Sequence, residues 1–192
     1  MNKILKNEIS AVILSGGQGL RMNGKDKGLI EFRGLPLIAH VVSVVKPKVG
    51  HIFVSANRSF DEYSLYGEVI ADDLEGFQGP LAGISKALNT CSTDYLLVLP
   101  CDSPLVDSLL VDELINKMQL SDVDICVAHD GSIMHATFAL MKSNLDKSLE
   151  QFLDKGGRKM ALWYRQQTLE RVDVSDRLAV LTNLNKFEEL DF

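Results

Sequence analysis

The chain has 192 residues, 46% of them hydrophobic and 24% charged, with a formal net charge of −6. That is apolar enough for one globular domain rather than a disordered chain, and the acidic balance argues against a general nucleic-acid binder while allowing a local basic site. Three scattered cysteines (Cys91, Cys101, Cys126) form neither a zinc pattern nor a disulfide framework, no apolar run reaches the roughly 20 residues of a membrane span, and residues 1–8 lack the core of a secretion signal, so a cytoplasmic protein with no membrane or nucleic-acid partner is expected.

The predicted elements alternate. Residues 9–14 form an apolar strand that runs into the turn Ser15-Gly16-Gly17. Residues 36–45 carry apolar side chains at helical spacing, with Pro36 suited to a first turn. Strands follow over 51–55 and 68–71, the latter closed by Asp72-Asp73. Gly79-Pro80 breaks the chain ahead of a helix over 81–88. Residues 95–99 are a continuous apolar strand between Asp94 and Pro100. A helix over 106–118, strands over 124–128 and 136–141, and a helix over 145–153 come next. A last strand over 168–172 and a helical turn over 186–190 close the chain.

Continuous apolar strands separated by helices imply a mostly parallel sheet covered on both faces, a three-layer α/β/α arrangement. No repeat or linker divides it, so a single domain over 1–192 is expected. Ligands in such sheets bind beyond the carboxyl ends of the strands. Those ends read Ser15-Gly16-Gly17, Asn57-Arg58, Asp72-Asp73 and Pro100-Cys101-Asp102.

The richest of them is the loop from Ser15 to Lys27. Its glycines let backbone N–H groups approach phosphate oxygens, and Arg21, Lys25 and Lys27 add positive charge. Two familiar motifs fail there. A dinucleotide fingerprint counted from Gly17 and Gly19 puts Met22 where its last glycine belongs. The stretch from Gly19 to Lys25 fits a P-loop until Asp26, where a hydroxyl is needed for Mg²⁺. Asp102, at a strand tip between two prolines, suits either a Mg²⁺ ligand or the cap of the next helix. Asp72 is either a second ligand or nucleotide contact, or a turn residue.

Four other features each admit two readings. Gly79-Pro80-Leu81-Ala82-Gly83 is either a small-residue approach to a base or ribose, or a plain helix start. Asn57-Arg58 either contacts a nucleotide or ends a strand. His135 faces a second substrate or is a satisfied structural histidine. Gly156-Gly157-Arg158-Lys159 is either a second phosphate turn or a solvated loop.

In order and over nearly the whole chain, these segments resemble the molybdenum cofactor guanylyltransferases, the MobA family. The resemblance is carried by Leu14-Ser15-Gly16-Gly17, Arg21-Met22, Asp26-Lys27-Gly28-Leu29, Ala56-Asn57-Arg58, Gly79-Pro80-Leu81-Ala82-Gly83 and Pro100-Cys101-Asp102-Ser103-Pro104. It continues through His129-Asp130-Gly131, His135 and Thr137 to Asn183-Leu184-Asn185. It implies a Rossmann-like nucleotidyltransferase fold, nucleotide-binding in its N-terminal part and molybdopterin-binding in its C-terminal part. It also implies transfer of GMP from GTP to Mo-molybdopterin, with Mg²⁺ as cofactor and pyrophosphate as by-product. Other cofactor-biosynthesis proteins and acceptor molybdoenzymes are the implied partners.

Carried over by position, the resemblance sets Leu14, Ser15 and Gly16 on the nucleotide, Lys27 on its phosphates, Asp72 on the nucleotide, and Asp102 on Mg²⁺; from the loop itself, Gly17 is read as a further nucleotide contact and Arg21 as a second phosphate cation. A family asparagine contact falls on Ser55 here. Ser15 stands for the usual Ala, Asn23 for a usual Gly, and Lys186-Phe187 for the usual Thr-Pro. Competing readings are a transferase using CTP or a sugar-phosphate acceptor, and a non-catalytic cofactor carrier.

Overall fold

The structure, a computed structural model, describes residues 3–16, 26–71 and 79–184. The elements, in order, are β1 (Ile9–Leu14), β2 (Glu31–Phe32), β3 (Leu35–Pro36), α1 (Leu37–Val45), β4 (His51–Ser55), α2 (Phe60–Ser64) and β5 (Glu68–Ile70). Then come α3 (Pro80–Thr90), β6 (Tyr95–Pro100), α4 (Ser108–Leu120), β7 (Ile125–His129), β8 (Met134–Lys142), α5 (Asp146–Asp154), α6 (Met160–Tyr164) and β9 (Leu169–Asp173). All seven strands expected from apolar runs are present. The expected helical turn over 186–190 lies outside the described residues.

Among the described residues, those seven strands form one sheet in the order β5-β4-β1-β6-β8-β7-β9. Pairing is parallel except on the two sides of β8. The short link between β7 and β8 dictates that exception, because parallel neighbours need a long crossover. Asp130 shapes the link by accepting from the N–H groups of Ser132 (2.8 Å) and Ile133 (2.7 Å). Side chains alternate across the sheet. Ile9, Ala11, Ile13, Leu97 and Leu99 face the layer of α1, α2 and α4. Val12, Leu96 and Val98 face α3, α5 and α6, with Trp163 fully buried there. Two apolar faces on one sheet make the three layers.

The boundaries shift where local chemistry outweighs the apolar pattern. Pro36 pairs with Glu31 in a small hairpin and α1 starts at Leu37. Arg33 (φ 51°) and Gly34 (φ 80°) supply the two left-handed residues that such a two-residue hairpin turn requires. Helix α4 starts at Ser108 rather than 106, because the Asp107 carboxylate accepts from the Leu110 N–H (2.8 Å) and caps it. Strand β8 is irregular. Val127 pairs with Ala139 but Ala128 pairs with His135, so residues 136–138 bulge.

From β1 the chain moves outward to β4 and β5, then returns to place β6 on the other side of β1. The order therefore reverses between β1 and β6. The crevice at such a reversal, beyond the carboxyl ends of the strands, is where ligands bind in open α/β sheets.

Candidate functional site

At the reversal, Leu14 is in register with Ser55 on one side and Pro100 on the other. The ladders run one step further. Ser15 N–H donates to Ser55 O (2.9 Å), and Cys101 N–H donates to Leu14 O (3.1 Å). Ser15, Ser55 and Asp102 are thereby brought side by side from three strands. A Cβ on Gly16 would come no nearer than 4.0 Å to any described atom outside its own stretch of chain, Ser55 O being the closest. Its lack of a side chain meets no internal packing need, so the glycine leaves backbone open to a ligand.

Asp102 does not cap α4; Asp107 does. Asp102 is instead held by its own turn. Its carbonyl accepts from Leu184 N–H (2.9 Å), and the neighbouring Ser103 hydroxyl donates to Asn183 Oδ1 (3.0 Å). The Asn183-Leu184 segment thus braces the β6 tip, and Leu184 is seated against Ile30, Phe32 and Leu37. The Asp102 side chain points inward, 12% exposed. Its Oδ2 takes a hydrogen-bonded ion pair from Lys27 Nζ. Its Oδ1 is buried with no hydrogen-bond partner among the described residues. An unmet buried polar atom costs about 1–3 kcal/mol, and such atoms in a native site call for a ligand or ion.

The residue before Lys27 is held from two sides. Asp26 accepts from Arg58 Nε (3.0 Å) and from the Tyr63 hydroxyl (2.9 Å), with its side chain only 7% exposed. Arg58, which the sequence left between a nucleotide contact and a strand end, is an anchor for Asp26. Gly28 is tight: a Cβ there would stand 2.7 Å from the Tyr63 hydroxyl oxygen and 3.2 Å from Cys101 Sγ. Burial, with Cys101 and Asp26 nearby, raises the Tyr63 hydroxyl above its ordinary value. Burial first, and then Asp102, pushes the Cys101 thiol up to about 12. Cys101 is therefore a protonated packing group and not a nucleophile.

The other features resolve toward structure. The space beside Gly83 is filled by Ser55, whose Oγ lies 2.2 Å from where a Cβ would sit. Gly79 (φ 76°, ψ −169°) adopts a backbone that favours glycine, just ahead of Pro80 in the first turn of α3. Arg158 caps the end of α5, donating to Leu153 O (2.8 Å) and Gly157 O (2.7 Å). His135 pairs with Asp130 (2.8 Å) beside the β8 bulge. The carboxyl of Asp130 is held well below its usual range, first by Ile133 N–H, then by His135 and Ser132.

Of the expected site residues, Leu14, Ser15, Gly16, Lys27, Ser55 and Asp102 converge on this crevice. Gly17, Arg21 and Asp72 lie outside the described residues. Sequence reasoning missed Tyr63 and the anchoring role of Asp26. The two are 37 positions apart, and no local pattern joins them.

Residues 11–172 match the family model described as the MobA-like NTP transferase domain. The chain is 42% identical over 182 residues to the molybdenum cofactor guanylyltransferase of Shewanella putrefaciens, covering 94% of this chain and 93% of the relative. It is 41% identical over 187 residues to that of Vibrio atlanticus, covering 97% and 96%. The crystal structure of molybdopterin-guanine dinucleotide biosynthesis protein A from Archaeoglobus fulgidus superposes with a TM-score of 0.77 at 21% identity, covering 94% of each chain.

Proposed function

The chain belongs to the MobA-like NTP transferase family, and from that premise we propose that it is a molybdenum cofactor guanylyltransferase, moving GMP from GTP to Mo-molybdopterin with release of pyrophosphate. The observation that carries this reading is the meeting of Lys27 and Asp102 at the sheet reversal, with the second Asp102 oxygen buried and unmatched among the described residues. A cation and a half-satisfied carboxylate are the two things a triphosphate with its metal needs from a protein.

Asp102 fits a Mg²⁺ ligand. Its buried Oδ1 is a hard oxygen donor without a partner among the described residues, and Mg²⁺ is usually held by one or two carboxylates plus substrate phosphates. Among the described residues, no group of three or more His, Cys, Asp or Glu could hold a metal. When bound, the ion would supply charge neutralisation at the transferred phosphate.

The chain's own groups do the positioning. The glycine loop that follows β1 would present backbone N–H groups to the phosphates, with Gly16 its open position among the described residues. Lys27 and Arg21 hold the β- and γ-phosphates as they become pyrophosphate, and Leu14, Ser55 and Asp72 line the nucleotide. The attacking phosphate of the pterin is already ionised near neutral pH, so no general base is required. The transfer rests on alignment and on fixed charge where negative charge builds up.

One domain over 1–192, with the pterin received by the C-terminal strands, belongs to the same proposal. So do a cytoplasmic setting and contacts with other cofactor-biosynthesis proteins and molybdoenzymes. No described helix is long and apolar enough to cross a membrane.

Mass analysis of the product from GTP, Mg²⁺ and Mo-molybdopterin tests the reading. A product heavier by GMP, absent with CTP, is expected. Asp102→Ala should form it about 10²–10³-fold more slowly, the range for one lost electrostatic contact to transition-state charge, with unchanged circular dichroism. A CMP product, or none, would overturn the assignment.

A further inference from the structure

We propose that Asp26 and Tyr63 are positioning residues for Lys27: with Arg58 they clamp the backbone one residue ahead of it, so that its ammonium meets phosphate already aimed. The inference rests on the reading of Lys27 as a phosphate ligand and extends it to residues that touch no substrate.

Four observations carry it. The Asp26 carboxylate is nearly buried, and each oxygen has its own donor, Arg58 Nε on Oδ2 and the Tyr63 hydroxyl on Oδ1. Both donors come from the far side of the crevice, from the segment that follows β4. Filling both oxygens removes the carboxylate next to Lys27 as a competitor for its ammonium, leaving that charge to Asp102. A lysine has a long flexible stem, so a fixed backbone one residue away limits where its head can go.

The third observation is the turn between the donors. Ser59 is left-handed (φ 52°) without being glycine. That left-handed residue is the N-cap of α2 and lies between Arg58 and Tyr63, both of which reach Asp26, and strain of this kind is kept where geometry matters to function. The fourth is Gly28. Its missing side chain lets the backbone after Lys27 lie against the Tyr63 hydroxyl and Cys101 Sγ. Tyr63 is fully buried, so it grips both flanks of Lys27, through a hydrogen bond on Asp26 and through contact on Gly28.

A positioning role and a merely structural one separate in a double-mutant cycle. The probe is inorganic tripolyphosphate, followed by calorimetry, because it tests phosphate capture without base or acceptor. Tyr63→Phe keeps the ring against Gly28 and removes one hydrogen bond to a charged group, so binding should weaken about tenfold. In a Lys27→Ala background the same change should alter binding less than about twofold. Asp26→Asn, which keeps the shape, is the second variant should Tyr63→Phe fail to fold, and should show the same dependence on Lys27. Equal losses in both backgrounds would overturn the proposal, as would no loss with Lys27 present or no tripolyphosphate binding by the wild type. The transferase assignment fails separately, when wild-type protein yields no guanylylated product although the polyphosphate cycle behaves as stated.

Discussion

Gly83 and Ser55 share a volume that holds only one of their side chains. Alanine in a helix interior usually gains about 1 kcal/mol over glycine. At Gly83, however, the added Cβ would lie 2.2 Å from Ser55 Oγ and 2.9 Å from Ser55 Cβ. Overpacking of this kind costs about 1–3 kcal/mol, so Gly83→Ala should destabilise the protein in urea unfolding, and adding Ser55→Gly should recover part of the loss. A wild-type midpoint for the single variant would show that the contact yields freely. The sequence had offered this glycine as room for a base or ribose, because a small residue looks the same whether a ligand or a neighbouring strand fills its space. Asp102 shows the opposite case. Its type and place were legible as a ligand or a cap, and the cap reading falls to Asp107, whose carboxylate caps α4. Tyr63 was not legible at all, since its partner is reached only by folding.

At the scale of elements, α4 joins the sheet to the segment that braces Asp102. Asp107 caps the helix through Leu110 N–H and also receives Arg177 Nη1 (3.1 Å), while Arg177 Nη2 pairs with Glu113. Asp107→Ala should lower unfolding free energy by about 1–2 kcal/mol, the upper range for a lost cap. Its KM for GTP should stay within about twofold, because Leu184 and Asn183 hold the Asp102 turn independently. Unfolding curves and steady-state rates on one preparation check both parts, and a KM that rises with the loss of stability would mean that α4 transmits strain to the site. The apolar runs revealed the seven main strands and the four longer helices. The hairpin of β2 and β3, α2 and α6 escaped, being too short for any period to emerge from two to five residues. The start of α4 drifted because a polar cap, Asp107, rather than the apolar stripe, sets its first turn.

Across the whole molecule, acid stability reflects a few carboxylates at the strand ends. Asp130 is lowered by Ile133 N–H, His135 and Ser132. Asp173 is lowered chiefly by Ser175 N–H, and Asp124 chiefly by the Thr168 hydroxyl. A carboxyl lower in the folded than in the unfolded chain adds stability that is fully present above the usual value of 3.8. That stability is lost as pH falls through the lower folded value, because the unfolded chain then binds more protons. Urea midpoints should therefore hold near neutrality and fall below about pH 4, and Asp130→Asn should lose stability at neutral pH while flattening that fall. An unchanged acid slope in the variant would remove Asp130 from the account. By itself, the sequence determined that a mostly parallel, doubly covered sheet would form and offered Ser15-Gly16, Lys27 and Asp102 as candidates at its strand ends, since burial periodicity and residue chemistry are local properties. Only the tertiary structure decided that β8 runs against its neighbours, that the reversal falls between β1 and β6, and that Asp26, Arg58 and Tyr63 together aim Lys27. Strand order and partners across tens of residues are chosen by the packing of the whole core, which no local window contains.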